Sequence, residues 1–172
     1  MHITKILSFI VTMTFLLFSC IKDDESETIN YINVNSQIPT FAVEDTTGNT
    51  FSSKQFIGKQ SLLVFFGTYC PDCKQVLPVI EEVWKELKDD PRFLLVTISR
   101  KETAEVVSNY WKENQFTMPF YLDTRGEVFS LFANNTIPRI YIINPDNEVV
   151  WMAVESLDIS AKELIQKIKG LK

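Results

Sequence analysis

The sequence predicts an α/β fold in which a central mixed sheet carries helices on both faces. Two segments, residues 62–67 and 93–98, are almost continuously apolar, as expected of strands buried on both sides. Each is followed by a segment whose apolar residues recur at steps of three and four, the period of an amphipathic helix. A hairpin and a final helix complete the pattern, so strands and helices alternate along most of the chain.

The first helix is predicted over residues 71–88, directly after the first strand. Its apolar positions form one stripe: Val76, Leu77, Ile80, Val83, Trp84 and Leu87. Pro78 lies inside this helix and is expected to kink it. After the second strand, Ser99 and Glu102 have the spacing of a capping box, which predicts that a second helix begins there. That helix carries Val106, Val107, Tyr110 and Trp111.

Shorter elements are predicted in the rest of the chain. Residues 120–122 indicate a short strand, and residues 127–133 a short helix. Residues 140–143 and 148–154 flank the turn sequence Asn-Pro-Asp-Asn at 144–147 and therefore predict a β-hairpin. The last helix is predicted from a capping pair and apolar residues at helical steps: Ser160, Glu163, Leu164, Ile165 and Ile168.

The N-terminus predicts a secretory signal peptide. Residues 1–5 are basic, and residues 6–18 form a largely apolar run. This run is short for a membrane-spanning helix, which needs about 20 residues. The sequence Leu17-Phe18-Ser19-Cys20 resembles the cleavage site of bacterial lipoproteins, at which the cysteine is lipidated and becomes the first residue. An uncleaved signal anchor with a free Cys20 is the alternative.

The chain then divides into a signal peptide (1–19), a lipidated acidic tether (20–34) and one domain (35–172). The tether contains Lys22-Asp23-Asp24-Glu25, and such a charged stretch is expected to stay solvated. It also resembles the acidic signal that sends some lipoproteins to the outer face of the outer membrane. We therefore expect a protein anchored in the outer membrane of a bacterial cell envelope, on its periplasmic face or at the cell surface.

The charge of the chain argues against nucleic acid as a partner. The formal net charge is −5, and removing residues 1–19 takes away Lys5 and no acidic residue, which makes it −6. A nucleic-acid-binding domain needs a basic surface that neutralises phosphates. We expect a monomer that does not bind nucleic acid.

Cysteine and histidine counts limit the chemistry. The chain has three cysteines, Cys20, Cys70 and Cys73, and one histidine, His2, which lies in the predicted signal peptide. A tetrahedral zinc site needs two ligands beyond a C-x-x-C pair, so we expect no metal and no cofactor. A structural disulfide between Cys70 and Cys73 would close too short a loop to restrain the unfolded chain much.

The position of this pair indicates redox chemistry instead. Cys70 and Cys73 lie where the first strand ends and the first helix begins. Unpaired backbone N–H groups and the helix dipole favour a thiolate at that position. A thiolate is the species that attacks disulfides, so the pair is a candidate redox-active disulfide.

Three further motifs accompany the pair. Residues 38–41 (Ile-Pro-Thr-Phe) lie upstream of the first central strand, and residues 58–61 (Gly-Lys-Gln-Ser) lead directly into it. Residues 69–73 read Tyr-Cys-Pro-Asp-Cys, and residues 136–138 (Thr-Ile-Pro) lead into the hairpin. In this order they resemble the thioredoxin fold, specifically the membrane-tethered TlpA/ResA-like branch of thiol–disulfide oxidoreductases, which has an extra N-terminal β-hairpin.

The resemblance implies a role for each residue of the site. Cys70 matches the attacking cysteine and Cys73 the resolving cysteine. Tyr69 matches the aromatic residue before the first cysteine, and Pro138 matches the cis-proline that faces the disulfide. Together with the carbonyl of Ile137, Pro138 would align the backbone of the substrate. The expected activity is reduction of protein disulfides in the cell envelope, with an envelope electron donor that restores the dithiol.

Two other functions stay open. A thiol peroxidase on the same fold would need proline and threonine seven and three residues before Cys70, where this chain has Leu63 and Gly67. A non-catalytic copper(I)-binding envelope lipoprotein would use both thiolates, which suit that ion.

The chain also departs from the family pattern. Related proteins often have a buried acid six residues before the first cysteine or three after the second, but here these residues are Val64 and Val76. Deprotonation of Cys73 would then depend on water or on Asp72. Arg139 follows the proline where a small residue is common. We expect Arg139 either to give the substrate groove a positive rim or to be paired on the surface.

Overall fold

The computed structural model of the chain describes residues 27–171. The predicted signal peptide, Cys20 and the start of the tether lie outside the described residues. Within residues 27–171, none of the helices has the length and apolar character that crossing a bilayer requires.

The described part of the chain forms seven strands and three α-helices. The strands are β1 (Ala42–Glu44), β2 (Thr50–Ser52), β3 (Gln60–Phe66), β4 (Phe93–Arg100), β5 (Tyr121–Asp123), β6 (Arg139–Ile143) and β7 (Val149–Val154). The helices are α1 (Pro71–Leu87), α2 (Ala104–Glu113) and α3 (Ala161–Lys169), with short 3-10 helices at Ser53–Phe56 and Phe129–Leu131.

The strands form one mixed sheet in the order β2-β1-β5-β4-β3-β6-β7. Strands β3, β4 and β5 run parallel to one another, whereas β6 is antiparallel to β3 and β7 to β6. Strands β1 and β2 form the predicted N-terminal hairpin and join the sheet beside β5. All seven residues of β3 are buried, as its continuous apolar sequence predicts.

Side chains of β3 meet different partners on the two faces of the sheet. Phe66 packs against Trp111 of α2, with 5.0 Å between the ring centroids. Its neighbour Phe65 points to the opposite face, where it packs against Phe129 and Phe132. Helices α1 and α3 pack against each other. The sheet is thus covered on both faces, and its central strand ends at the cysteine pair.

Two local predictions were wrong. Helix α2 begins at Ala104, and its N-cap is Thr103, whose side chain accepts a hydrogen bond from the Val106 N–H. Ser99 and Glu102 do not form the predicted capping box, because the carboxylate of Glu102 is buried and bonded elsewhere. The helix predicted over 127–133 is only the short turn Phe129–Leu131, since Ala133 forms a β-bridge instead.

Candidate active site

Cys70 is the N-cap residue of α1, and Pro71 occupies the first position of the helix. Proline suits this position because its missing N–H would have no partner there. The sulfur of Cys70 accepts a hydrogen bond from the backbone N–H of Cys73 at 3.1 Å. Both thiols are free; Cys70 is 8% exposed, whereas Cys73 is fully buried. The two sulfurs therefore differ in their access to solvent.

The environment of Cys73 keeps its thiol protonated. Burial raises the pKa of Cys73 well above its ordinary value, and a hydrogen bond with the Cys70 side chain raises it further. A hydrogen bond from the backbone of Gly67 acts in the opposite direction and is the smaller effect. Cys73 is thus a neutral thiol near pH 7, as a second, delayed nucleophile would be.

The predicted substrate-binding residues lie beside Cys70. The Ile137–Pro138 peptide bond is cis, and the carbonyl oxygen of Ile137 accepts a hydrogen bond from the Cys70 thiol at 3.5 Å. Tyr69 is 59% exposed, and its ring lies over Gly67. A Cβ atom at Gly67 would come within 2.7 Å of that ring and 3.0 Å of the Ile137 side chain, so a larger residue there would displace the Tyr69 ring. The chain segments around Cys70 and Pro138 are therefore in direct contact.

A buried carboxylate holds the segment that leads to Cys70. Glu102, just beyond the end of β4, accepts hydrogen bonds from the Thr68 N–H at 2.9 Å and from the Thr68 hydroxyl. It also accepts one from the hydroxyl of Ser99 at 2.7 Å. Glu102 and Thr68 are both buried. We call residues 67–70 the cysteine loop; Glu102 fixes its position relative to the sheet.

Glu102 could not be identified from the sequence. Its spacing from Ser99 is that of a capping box, and the two side chains do interact, but to hold the cysteine loop rather than to start a helix. Val64 and Val76, the positions of the acid in related proteins, are buried and carry no carboxylate. Asp72, the other acid considered, lies half-buried in the first turn of α1.

The prediction for Arg139 was wrong in both of its forms. The side chain of Arg139 is fully buried and forms neither a positive rim nor a surface ion pair. Its guanidinium donates to the carbonyl oxygens of Asn135 and Thr136 and to the side-chain oxygen of Asn30. These acceptors surround the guanidinium because β6 begins at Arg139, directly after the loop that ends in Pro138.

Comparison with known proteins identifies the family. A family model described as Redoxin matches residues 33–165. The thiol-disulfide oxidoreductase ResA of Bacillus subtilis (strain 168) is 30% identical over 119 residues, covering 69% of this chain and 66%, just under two thirds, of that protein. ResA of Oceanobacillus iheyensis is 27% identical over 162 residues, covering 92% of this chain and 82% of that protein.

A solved structure of another protein is similar to this chain over nearly the whole length of that protein. The thiol:disulfide interchange protein, a thioredoxin family protein from Chlorobium tepidum TLS, matches with a TM-score of 0.68 and 25% identity. The match covers 80% of this chain and 96% of that chain. The thioredoxin fold predicted from the sequence is thus confirmed. The chain belongs to the Redoxin family, and it is similar to thiol–disulfide oxidoreductases of the ResA type.

Proposed function

We propose that Cys70 and Cys73 form the redox-active disulfide of an enzyme that reduces protein disulfides in the bacterial cell envelope. One observation carries the assignment of roles. Cys70 lies at the N-cap of α1 with its sulfur bonded to the Cys73 N–H, whereas Cys73 is fully buried and its pKa is raised by burial. A sulfur at a helix N-terminus is favoured as a thiolate, and a buried thiol is not.

In the proposed reaction the Cys70 thiolate attacks one sulfur of a substrate disulfide. A Cys70–substrate disulfide forms, the substrate disulfide breaks, and the leaving substrate thiolate takes a proton from water. Cys73 then gives its proton to water and attacks the sulfur of Cys70. The Cys70–Cys73 disulfide forms and the second substrate thiol leaves, so that two electrons have passed to the substrate. A dithiol donor in the envelope restores the reduced enzyme by the reverse exchange.

The direction of the reaction follows from charge and burial around the pair. Burial disfavours a thiolate at Cys73, and the charge of Asp72, between the two cysteines, disfavours it further. Strong oxidants of this fold owe their oxidising power to a stabilised reduced form. Because the buried Cys73 thiol contributes no such stabilisation to the reduced pair, its dithiol is expected to act as a reductant.

Trapping of the mixed disulfide tests these roles. In Cys73→Ser no second thiol can attack the Cys70–substrate disulfide. Reaction with disulfide-bonded insulin should therefore give a covalent complex that dithiothreitol cleaves. Cys70→Ser is the matched control, and it should give no complex. A complex with Cys70→Ser and none with Cys73→Ser would reverse the assignment. Lack of any Cys-dependent insulin reduction by the wild type would reject the proposed activity.

We also propose that the protein is anchored to a membrane by a lipid on Cys20. The lipoprotein-like sequence Leu17-Phe18-Ser19-Cys20 supports this anchor, and cleavage there would remove the signal peptide. Cys20→Ala should convert a membrane-bound protein into an uncleaved or soluble one, without changing insulin reduction in detergent. An unaltered membrane fraction with normal processing would contradict lipidation. Protease treatment of whole cells distinguishes the cell surface, where the protein is cleaved, from the periplasmic face, where it is protected.

A further inference from the structure

The segment before Pro138 is held by a buried cation. We call residues 134–138 the proline loop. The Arg139 guanidinium donates from Nε to the Thr136 carbonyl oxygen at 2.8 Å and from Nη2 to that of Asn135 at 2.8 Å. None of the ion pairs found within residues 27–171 involves Arg139, so neutral oxygen atoms supply its polar contacts there. A buried charge is tolerated only when its donors are satisfied in this way.

The third acceptor of the Arg139 guanidinium belongs to a residue far earlier in the sequence. Nη1 of Arg139 donates to Oδ1 of Asn30 at 2.6 Å. Asn30 belongs to residues 27–32, which we call the N-terminal strap, and it forms a β-bridge with Ala133. The strap therefore completes the hydrogen bonding of a charge that is buried beneath the proline loop.

The strap is also bonded directly to the proline loop. Asn134 makes three hydrogen bonds to it: its backbone N–H donates to the Ile29 carbonyl, its side-chain oxygen accepts from the Ile29 N–H, and its side-chain amide donates to the Glu27 carbonyl. The hydroxyls of Thr28 and Thr136 share a further hydrogen bond of 2.8 Å. Strap and loop thus lie side by side along their lengths.

Thr136 is the residue on which these contacts converge. Its φ is +76°, in the left-handed region that β-branched residues seldom adopt. Arg139 holds its carbonyl and Thr28 holds its hydroxyl. The next residue is Ile137, whose carbonyl contacts the Cys70 thiol. The conformation of Thr136 therefore sets where the Ile137 carbonyl points, and contacts from the strap maintain that conformation.

We propose that Arg139 and Asn30 are positioning residues for disulfide exchange with protein substrates. They act by orienting the proline loop so that its backbone can bind an extended segment of a protein substrate beside Cys70. This inference rests on the proposed exchange at Cys70 and Cys73. A small disulfide without a peptide backbone needs only the Cys70 sulfur, so it does not depend on the strap.

Paired substrates and paired variants test the proposal in the full-length protein in detergent. Asn30→Ala removes the oxygen that Arg139 binds, whereas Asn30→Asp keeps an oxygen there. Asn30 is exposed, so neither change threatens the core. Ser53→Ala is the control: it removes the buried hydroxyl that accepts from the Phe41 N–H in the N-terminal hairpin. We measure kcat/KM for insulin and for 5,5′-dithiobis(2-nitrobenzoic acid), together with the melting temperature.

We expect Asn30→Ala to lower kcat/KM for insulin on the order of tenfold, the scale of a small misplacement of a binding group. Its reaction with the small disulfide should stay at the wild-type rate. Asn30→Asp should retain the wild-type insulin rate, and Ser53→Ala should retain both rates despite a lower melting temperature. The proposal is overturned if Asn30→Ala leaves insulin reduction unchanged, or lowers both reactions equally. Wild-type insulin reduction that depends on Cys70 would still support the proposed function in either case.

Discussion

Two loops meet at the Cys70 sulfur, and they are held in opposite ways. The cysteine loop is fixed by a buried carboxylate, Glu102, which accepts hydrogen bonds from Thr68 and Ser99. The proline loop is fixed by a buried guanidinium, Arg139, which donates to backbone carbonyls and to Asn30. Neither charged group has an oppositely charged partner among the contacts described for residues 27–171.

The difference lies in where each group finds its partners. Ser99 lies in β4, and Thr68 and Glu102 lie just beyond the ends of β3 and β4, so the cysteine loop is anchored to the core of the sheet. Arg139 needs a residue 109 positions away in the sequence, in the N-terminal strap. The position of Cys70 is therefore set by the core, whereas the position of the proline loop beside it depends on the strap.

Among the changes that test this comparison, Glu102→Ala should lower the free energy of unfolding most. It leaves the Thr68 N–H, the Thr68 hydroxyl and the Ser99 hydroxyl without their acceptor in a buried site. Because each unsatisfied buried group costs about 1 to 3 kcal/mol, we expect the free energy of unfolding to fall by about 3 kcal/mol or more. Urea denaturation measures it. Alkylation of Cys70 should also change, since its loop loses its anchor.

Glu113→Ala is the matched control, because Glu113 is an exposed acid at the end of α2. Its free energy of unfolding should stay within about 0.5 kcal/mol of the wild type. If Glu102→Ala were as stable as Glu113→Ala, the carboxylate would not be the anchor of the cysteine loop.

Removal of the strap should have a smaller effect, confined to the proline loop. Two proteins, beginning at Glu27 and at Asn33, differ by the strap alone. Loss of its hydrogen bonds should lower the free energy of unfolding by about 2 kcal/mol. Most of this comes from the part-buried bond to the Arg139 guanidinium, because a bond to a charged group contributes about 1.5 to 3 kcal/mol and an exposed bond much less. The rate of Cys70 alkylation should change by less than about twofold, because the core holds the cysteine loop. A large change in that rate would show that the two loops are not held independently.

These anchors also mark the limit of prediction from sequence. The cysteine pair could be placed because an apolar strand, a proline at the helix start and an amphipathic helix are local patterns. The role of Glu102 was predicted wrongly, because its distance from Ser99 in the sequence is the one that a capping box has. Arg139 was misread because charged residues are rarely fully buried, and its partner Asn30 is remote in sequence.

The Cys73 thiol should make the stability of the reduced protein depend on pH. Burial raises the pKa of Cys73 in the folded protein, so the folded state keeps this proton at a pH where the unfolded chain, with a thiol pKa of about 8.5, loses it. The protonated Cys73 thiol therefore contributes fully to the free energy of unfolding below about pH 8.5. Above that pH the free energy of unfolding decreases by up to about 1.4 kcal/mol per pH unit. Denaturation of the reduced protein between pH 7.5 and about 9.5 measures this.

Cys73→Ala provides the comparison, because it has no thiol to titrate at this position. The difference in free energy of unfolding between the reduced wild type and reduced Cys73→Ala should shrink as pH rises above about 8.5. A difference that is constant with pH would mean that the Cys73 thiol is not protected by burial.

The most direct test of the central assignment is the order in which the two thiols react. Reduced protein is treated with iodoacetamide at pH 7, and the labelled peptides are quantified by mass spectrometry over time. Because Cys70 lies at the helix N-terminus and Cys73 is fully buried with a raised pKa, Cys70 should be alkylated first and Cys73 only much later. Equal rates, or faster labelling of Cys73, would contradict the assignment of Cys70 as the attacking cysteine.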